Sequence, residues 1–187
     1  NNPEQRGKGY ALRWCFDQLS SAPQNFEAIV VIDADSEPSA NFLAVMNSCL
    51  EQGADAIQCS DMVKPQPGAW SSEMTRLGFT LYNHVRPLAR SLLGASAGLR
   101  GNGMAFSIRV VRDFPWDAYS LNEDLEYGLQ LLLKGVTITF AAEAKVFATM
   151  PASAMNAESQ RARWEGGRFP IVRKYMLPLL KMGFVCR

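Results

Sequence analysis

Residues 28–42 read AIVVIDADSEPSANF. Ala28 to Ile32 are apolar, and all but the first are β-branched. A run this short and this apolar predicts a buried strand. It stops in two aspartates, Asp33 and Asp35, one residue apart. Open α/β sheets bind ligands beyond the carboxyl ends of their strands, so the pair falls where a ligand would sit. Ser36 and Pro38 read as a helix start. Phe42, Val45, Met46, Cys49 and Leu50 then give the helix its apolar face. Residues 54–62, ADAIQCSDM, read as the next strand. Strand, helix, strand in succession predicts an α/β layer fold with a largely parallel sheet.

Outward from this unit the pattern continues. Leu12, Cys15, Phe16 and Leu19 predict a helix over 9–20. Residues 63–70, VKPQPGAW, form a Pro/Gly loop. A long amphipathic helix follows, with Met74, Leu77, Leu81, Val85, Leu88 and Leu92 in steps of three or four, kinked or split at Pro87. Residues 96–111, SAGLRGNGMAFSIRVV, are punctuated by glycine and then strand-like. Residues 121–135, LNEDLEYGLQLLLKG, predict a helix capped by Asn122 and closed by Gly135, burying Leu125, Leu129, Leu132 and Leu133. VTITF (136–140) and AKVFATM (144–150) predict two more strands. A helix from about Met155 carries QRARWEGGR (160–168), Pro170 interrupts it, and a second helical stretch follows. There is no internal repeat. One domain over 1–169 and a basic amphipathic segment over 170–187 is the simplest division.

Composition narrows the field. Of 187 residues, 48% are hydrophobic and 20% charged, as in ordinary globular chains. A net charge of +1 excludes a general polyanion binder, and nucleic acid is not an expected partner. The charge is uneven, because 160–187 holds seven Lys or Arg and one acid, Glu165. Such a tail suits phosphates or an anionic membrane surface, and equally a solvated helix face. Cys15, Cys49, Cys59 and Cys186 form no C-x-x-C pair and read as reduced thiols. No signal peptide is visible. No apolar run reaches the roughly 18 residues of a membrane span; the closest, YMLPLLKMGFV (175–185), is broken by Pro178 and Lys181. The opening, NNPEQRGKGYAL, lacks an initiator Met, and a piece of a longer protein is expected.

Three constellations carry chemistry. In D-x-D, one carboxylate can reach a divalent cation while the other holds a neighbouring polar group, and hard cations such as Mg²⁺ take one or two carboxylates plus substrate phosphates. Turn chemistry explains the same residues without a ligand. In NED, Glu123 and Asp124 stand in the first turn of a helix, where the macrodipole alone favours acids. Held beside a sugar hydroxyl, such a carboxylate is also a general base, and the adjacent charge raises one pKa. In QRARW, Gln160, Arg163 and Trp164 share a helix face. Arg pairs with phosphate in bidentate fashion, and the indole offers a wall to a sugar ring. An amphipathic helix with Trp inside is the competing account. The lone His84 reads as structural, since no second His completes a metal site. Trp70 and Trp116 read as packing residues.

In the order DAD, NED, QRARW, the chain resembles the family 2 glycosyltransferases of the GT-A fold. The likeness is to the membrane-associated branch with cellulose, chitin and hyaluronan synthases and ceramide glucosyltransferase. RGKGYAL and GLRGNGMAF also look like family segments. The resemblance implies a Rossmann-related mixed, mainly parallel sheet flanked by helices and lacking its first strand or strands. It implies that Asp33 and Asp35 bind a nucleotide diphosphate through Mg²⁺ or Mn²⁺, with Asp35 the direct ligand. Asp124 becomes the general base of an inverting transfer from a nucleotide sugar, UDP-linked by this likeness, to a hydroxyl of a polysaccharide or lipid. Gln160 and Arg163 hold the diphosphate. Glu123 and Trp164 line the acceptor site, and Gly101, Asn102 and Gly103 shape it. An aspartate contacting uracil is expected upstream of Asn1. The segment after QRARW is expected to run along the membrane, at its cytoplasmic face. Two other classes remain open here: a non-catalytic sugar-nucleotide-binding module, and a nucleotidyltransferase, of which RGKG is a faint echo.

Overall fold

The computed structural model describes residues 6–64, 70–148 and 166–185. Five strands form one sheet in the order β1-β4-β3-β5-β2: β1 Ala28–Val31, β2 Ser36–Pro38, β3 Ala56–Val63, β4 Met104–Ser107 and β5 Ile138–Ala148. β1, β3 and β5 run one way, and β4 and β2 run against them. Only β3 and β5 are parallel neighbours, so the largely parallel sheet expected from the sequence is a mixed one. The cause is β4, which inserts between β1 and β3 as an antiparallel partner of both. β1 therefore lies at the edge among the described strands, and Val30 is exposed although its run is apolar throughout.

Helices cover both faces. α1 (Lys8–Ser20), α5 (Ile108–Asp113) and α6 (Glu123–Leu133) close one face over Phe16, Val31, Phe106, Trp116, Tyr127 and Ile138. The rings of Phe16, Phe106 and Tyr127 pack round Trp116. α2 (Phe42–Glu51) closes the other face through Phe42 and Met46 on Ile57, Cys59, Ala105 and Val146. Period-two alternation accounts for this split: Met104 and Phe106 point one way and Ala105 the other.

Several local expectations change. Ser36 and Pro38 do not start a helix; they form β2 against β5, and α2 begins four residues later at Phe42. An edge strand tolerates Pro38 because its missing N–H costs no ladder bond. The two strands expected over 136–150 are one, β5. Its register on β3 jumps between Cys59 and Ser60, where Ala141 gives way to Lys145. The long helix is α3 (Trp70–Thr80), a π turn (Leu81–Val85) and α4 (Arg86–Leu92). Pro87 lacks the N–H that an α-helix would pair with Asn83, and the wider turn just before it absorbs that loss. Most of the apolar stripe of this helix is uncovered: Met74, Leu77, Leu81, Val85 and Leu92 are exposed, and Leu88 is half-buried against the core. α6 has Asn122 at its N-cap position and Gly135 past its end, but the Asn122 side chain makes no capping bond to the first turn. Its buried side is Glu126, Tyr127, Gly128 and Leu131, while Leu125, Leu129, Leu132 and Leu133 are half-buried. Stacking of Tyr127 on Trp116 sets that rotation. α7 (Arg168–Val185) lies against α6 through Ile171 and Tyr175. Lys174 pairs with Glu126 at 2.7 Å. His84 is structural, bonded through Nδ1 to Ser60 Oγ at 2.7 Å and packed edge-on against Phe140.

Candidate active site

The carboxyl ends of β1 and β3 and the amino end of β4 meet at one rim of the sheet. Asp33 lies just beyond β1, in a turn closed by Ser36 N donating to Asp33 O at 3.0 Å. Lys8, from the first turn of α1, pairs with the Asp33 carboxylate and donates to Gly101 O at 2.6 Å. One ammonium thus ties together α1, the D-x-D turn and the glycine loop before β4.

Asn102 holds the turn from below. Its Oδ1 accepts from Asp33 N at 3.1 Å, and its Nδ2 donates to Ser36 Oγ at 2.9 Å and to Asp61 Oδ1 at 3.3 Å. Beneath it, the fully buried Gln58 donates to Asn102 O at 2.8 Å and accepts from Arg100 N, also at 2.8 Å. A primary amide with both ends satisfied fixes a loop that has no ladder of its own.

Asp124, in the first turn of α6, faces this rim. A Cβ placed on Gly101, whose φ is +83°, would come within 3.4 Å of Asp124 Oδ2. Burial pushes the Asp124 carboxyl above the usual aspartate range; its backbone N–H partners and the charges of Lys8 and Arg100 restrain the rise. Glu123 is raised too, first by burial and then by Asp124 and Asp33. Asp61 is pushed up to about 7, by burial and then by the charge of Asp33. The carboxylates at the rim are therefore crowded, and a cation would relieve them.

Of the residues expected from the sequence, Asp33, Glu123, Asp124 and Gly101 come together here. Asp35 stands in the same turn, exposed, with no hydrogen bond or ion pair among the described residues. Asn102 and Gly103 were expected to shape an acceptor pocket. Both are buried, Asn102 as the brace and Gly103 beneath it against Cys59 and Val146. Gln160, Arg163 and Trp164 lie outside the described residues. Sequence reasoning missed Lys8, Gln58, Asp61 and Arg100. The signals of the first three were a lysine between glycines, a lone amide inside an apolar strand and an acid near that strand's end, and Arg100 had none.

The donor set suits a hard cation only in part. Asp33 shares its carboxylate with Lys8, and no group of three acids, cysteines or histidines is disposed to hold a metal among the described residues. Such a rim does not make an all-protein cage. It fits a cation whose shell is completed by substrate phosphates, with Asp35 the freer ligand.

The raised Asp61 predicts a pH dependence. A carboxyl whose folded pKa exceeds its unfolded one stabilises the fold at low pH and loses that contribution as pH rises. Without divalent cations, stability should fall between about pH 4 and 7, the ordinary aspartate value near 3.8 and the folded value near 7 marking the window. Asp61→Asn should flatten that slope in chemical denaturation series. An unchanged slope would show that the group ionises normally.

A family model described as "Glycosyltransferase like family 2" matches residues 1–167. No curated protein matches significantly. Among solved structures, the chain is similar to "Mannosyltransferase PcManGT from Pyrobaculum calidifontis in complex with GDP-Man and Mn2+". The two share 16% identity and a TM-score of 0.64, over 94% of this chain and 45% of that one. The chain thus spans less than half the length of that neighbour, and at this identity the likeness establishes the fold, a GT-A glycosyltransferase fold. Since the family model covers nearly its whole length, the chain belongs to the glycosyltransferase-like family 2.

Proposed function

We propose that this rim is the catalytic site of an inverting transferase, which moves a sugar from a nucleoside-diphosphate sugar to an acceptor hydroxyl. The observation that carries the proposal is the convergence of the D-x-D turn, Lys8 and Asp124 around Gly101. Asp35, with Asp33, would hold Mg²⁺ or Mn²⁺. That cation would neutralise charge on the diphosphate leaving group. Lys8 sits where its ammonium can turn from Asp33 toward a bound phosphate. Asp124 takes the proton of the attacking hydroxyl, and its raised pKa makes it a stronger base than a solvated aspartate. A single displacement inverts the anomeric carbon. A uridine nucleotide follows from the family resemblance, while the neighbour's title names a guanosine one.

Gln160 and Arg163 complete the diphosphate site in this reading, with Trp164 and Glu123 on the acceptor side. The acceptor is a polysaccharide or a lipid. α7 supports a membrane-surface location at the cytoplasmic face, because Phe169, Val172, Met176, Leu177 and Leu180 are exposed beside Arg173 and Lys181. No helix among the described residues is long and apolar enough to cross a membrane.

The test is an assay of the chain with Mn²⁺ and a panel of UDP- and GDP-sugars. Metal-dependent release of nucleoside diphosphate supports the transferase. Release of pyrophosphate would instead mark a nucleotidyltransferase, and binding without any release a non-catalytic module. Asp35→Asn should raise the Mn²⁺ concentration needed for half-maximal nucleotide binding about tenfold or more, as expected on losing one charged ligand. Unchanged Mn²⁺ dependence would remove Asp35 from the metal site.

A further inference from the structure

Next to the glycine loop, three guanidinium groups gather on one aromatic ring. The Cζ atoms of Arg100, Arg86 and Arg168 lie 4.6, 5.0 and 5.4 Å from the Tyr82 centroid. They come from three separate segments: the glycine loop, the start of α4 and the start of α7. Among the described residues none of the three makes an ion pair. Arg100 is the most enclosed, and its Nε and Nη2 are buried without a hydrogen-bond partner. Burial, with the neighbouring Arg86 and Arg90, holds the Arg100 guanidinium below its ordinary pKa, while Tyr82 and Asp124 counter this. Three like charges this close repel, and one ring face cannot neutralise them. Unmet donors of planar, forked geometry are built for an oxyanion.

We propose that Arg86, Arg100 and Arg168 around Tyr82 form a subsite for a phosphate group carried by the acceptor, close to its attacking hydroxyl. This rests on the transferase reading above. Position favours the acceptor over the donor. Arg100 immediately precedes Gly101, which packs against Asp124 and whose carbonyl accepts from Lys8, so the arginines begin one residue from the base. Among the described residues no side-chain hydrogen bond or ion pair joins Arg86, Arg100 or Arg168 to Lys8, Asp33 or Asp124. A base flanked by two anion sites selects an acceptor that offers a phosphate on the side away from the donor. The ring also adjoins the exposed Leu81 and Val85. A phosphate ester at a lipid surface and a soluble sugar phosphate therefore present the same chemistry.

Phosphorus NMR titration of the chain with inorganic phosphate tests the subsite. Arg86→Gln and Arg168→Gln should each weaken phosphate binding about tenfold or more, the loss expected for one charge-assisted contact. Both residues are exposed, so the variants should fold, and circular dichroism checks this. Lys181→Gln removes an equal charge from the far part of α7 and should leave inorganic phosphate binding unchanged. Saturating nucleoside diphosphate with Mg²⁺ should leave phosphate bound. Equal affinities for Arg86→Gln and Lys181→Gln would overturn the proposal. So would displacement of phosphate by the nucleotide, which would give the arginines to the donor. Failure of the nucleotide to bind while phosphate still does would strike the transferase reading alone. Phosphatidylcholine vesicles with and without phosphatidic acid separate the sources: arginine-dependent binding to the acidic vesicles assigns a lipid phosphate, and its absence alongside phosphate binding assigns a soluble one.

Discussion

Asp124→Asn is expected to lower the rate of sugar transfer about 10²–10⁴-fold while leaving nucleoside diphosphate affinity within about twofold, the pattern of a lost general base. The substitution keeps the shape of the side chain. It removes the oxygen pair that can take a proton and retains the packing against Gly101. Burial already holds the carboxyl above the usual range, so the group ionises late on the alkaline path. The base works only when ionised. Transfer should therefore fall on the acid side at a pH above that of a free aspartate, and Asp124→Asn should abolish that limb with the rate. Single-turnover transfer across pH, with nucleotide binding measured in parallel, checks both points. Transfer near the wild-type rate in the variant would take Asp124 out of the chemistry.

Gly103→Ala is expected to destabilise the fold by about 3 kcal/mol or more, as overpacking in a tight core adds to backbone strain. Gly103 has φ +65°, in the left-handed region. An added Cβ would lie 2.1 Å from Cys59 Sγ and 3.0 Å from a methyl of Val146. Cys59 and Val146 sit in β3 and β5, which are fully buried at these positions, so neither can withdraw. The carbonyl of Gly103 also accepts from Cys59 N at 2.9 Å, and a shift there would loosen Asn102 and the turn it braces. Denaturant titration should show the loss. A change within experimental scatter would mean the loop relaxes freely and cannot be the rigid brace described above.

The sequence carried the elements better than their arrangement. Local signals placed α1, α6 and β3 nearly residue for residue, because helical spacing and β-branched runs are local properties. Pairing is not local. Nothing in MAFS says that it slots antiparallel between β1 and β3. Nothing in SEP announces a strand, because its only support is the backbone of β5. The rotation of α6 was misjudged for the same reason, since it follows the ring stack of Tyr127 on Trp116. At the rim, Asp33 and Asp124 stood out from local signals, an acid closing an apolar strand and an acid opening a helix, whereas Asp61 did not. Lys8, Gln58 and Arg100 did not either, because single polar residues acquire meaning only from what the fold sets beside them. The bracing contacts of Asn102 were not legible, because all four of its polar partners, Asp33, Ser36, Asp61 and Gln58, come from distant sequence.

The most direct measurement is an anomalous difference map from a crystal of the chain grown with Mn²⁺ and a nucleoside diphosphate. The account predicts one manganese peak within coordination distance of Asp35, shared with diphosphate oxygens on the Lys8 side of Asp124. A diphosphate bound away from the Lys8–Asp33–Asp124 rim, or manganese that does not touch the D-x-D turn, would contradict it.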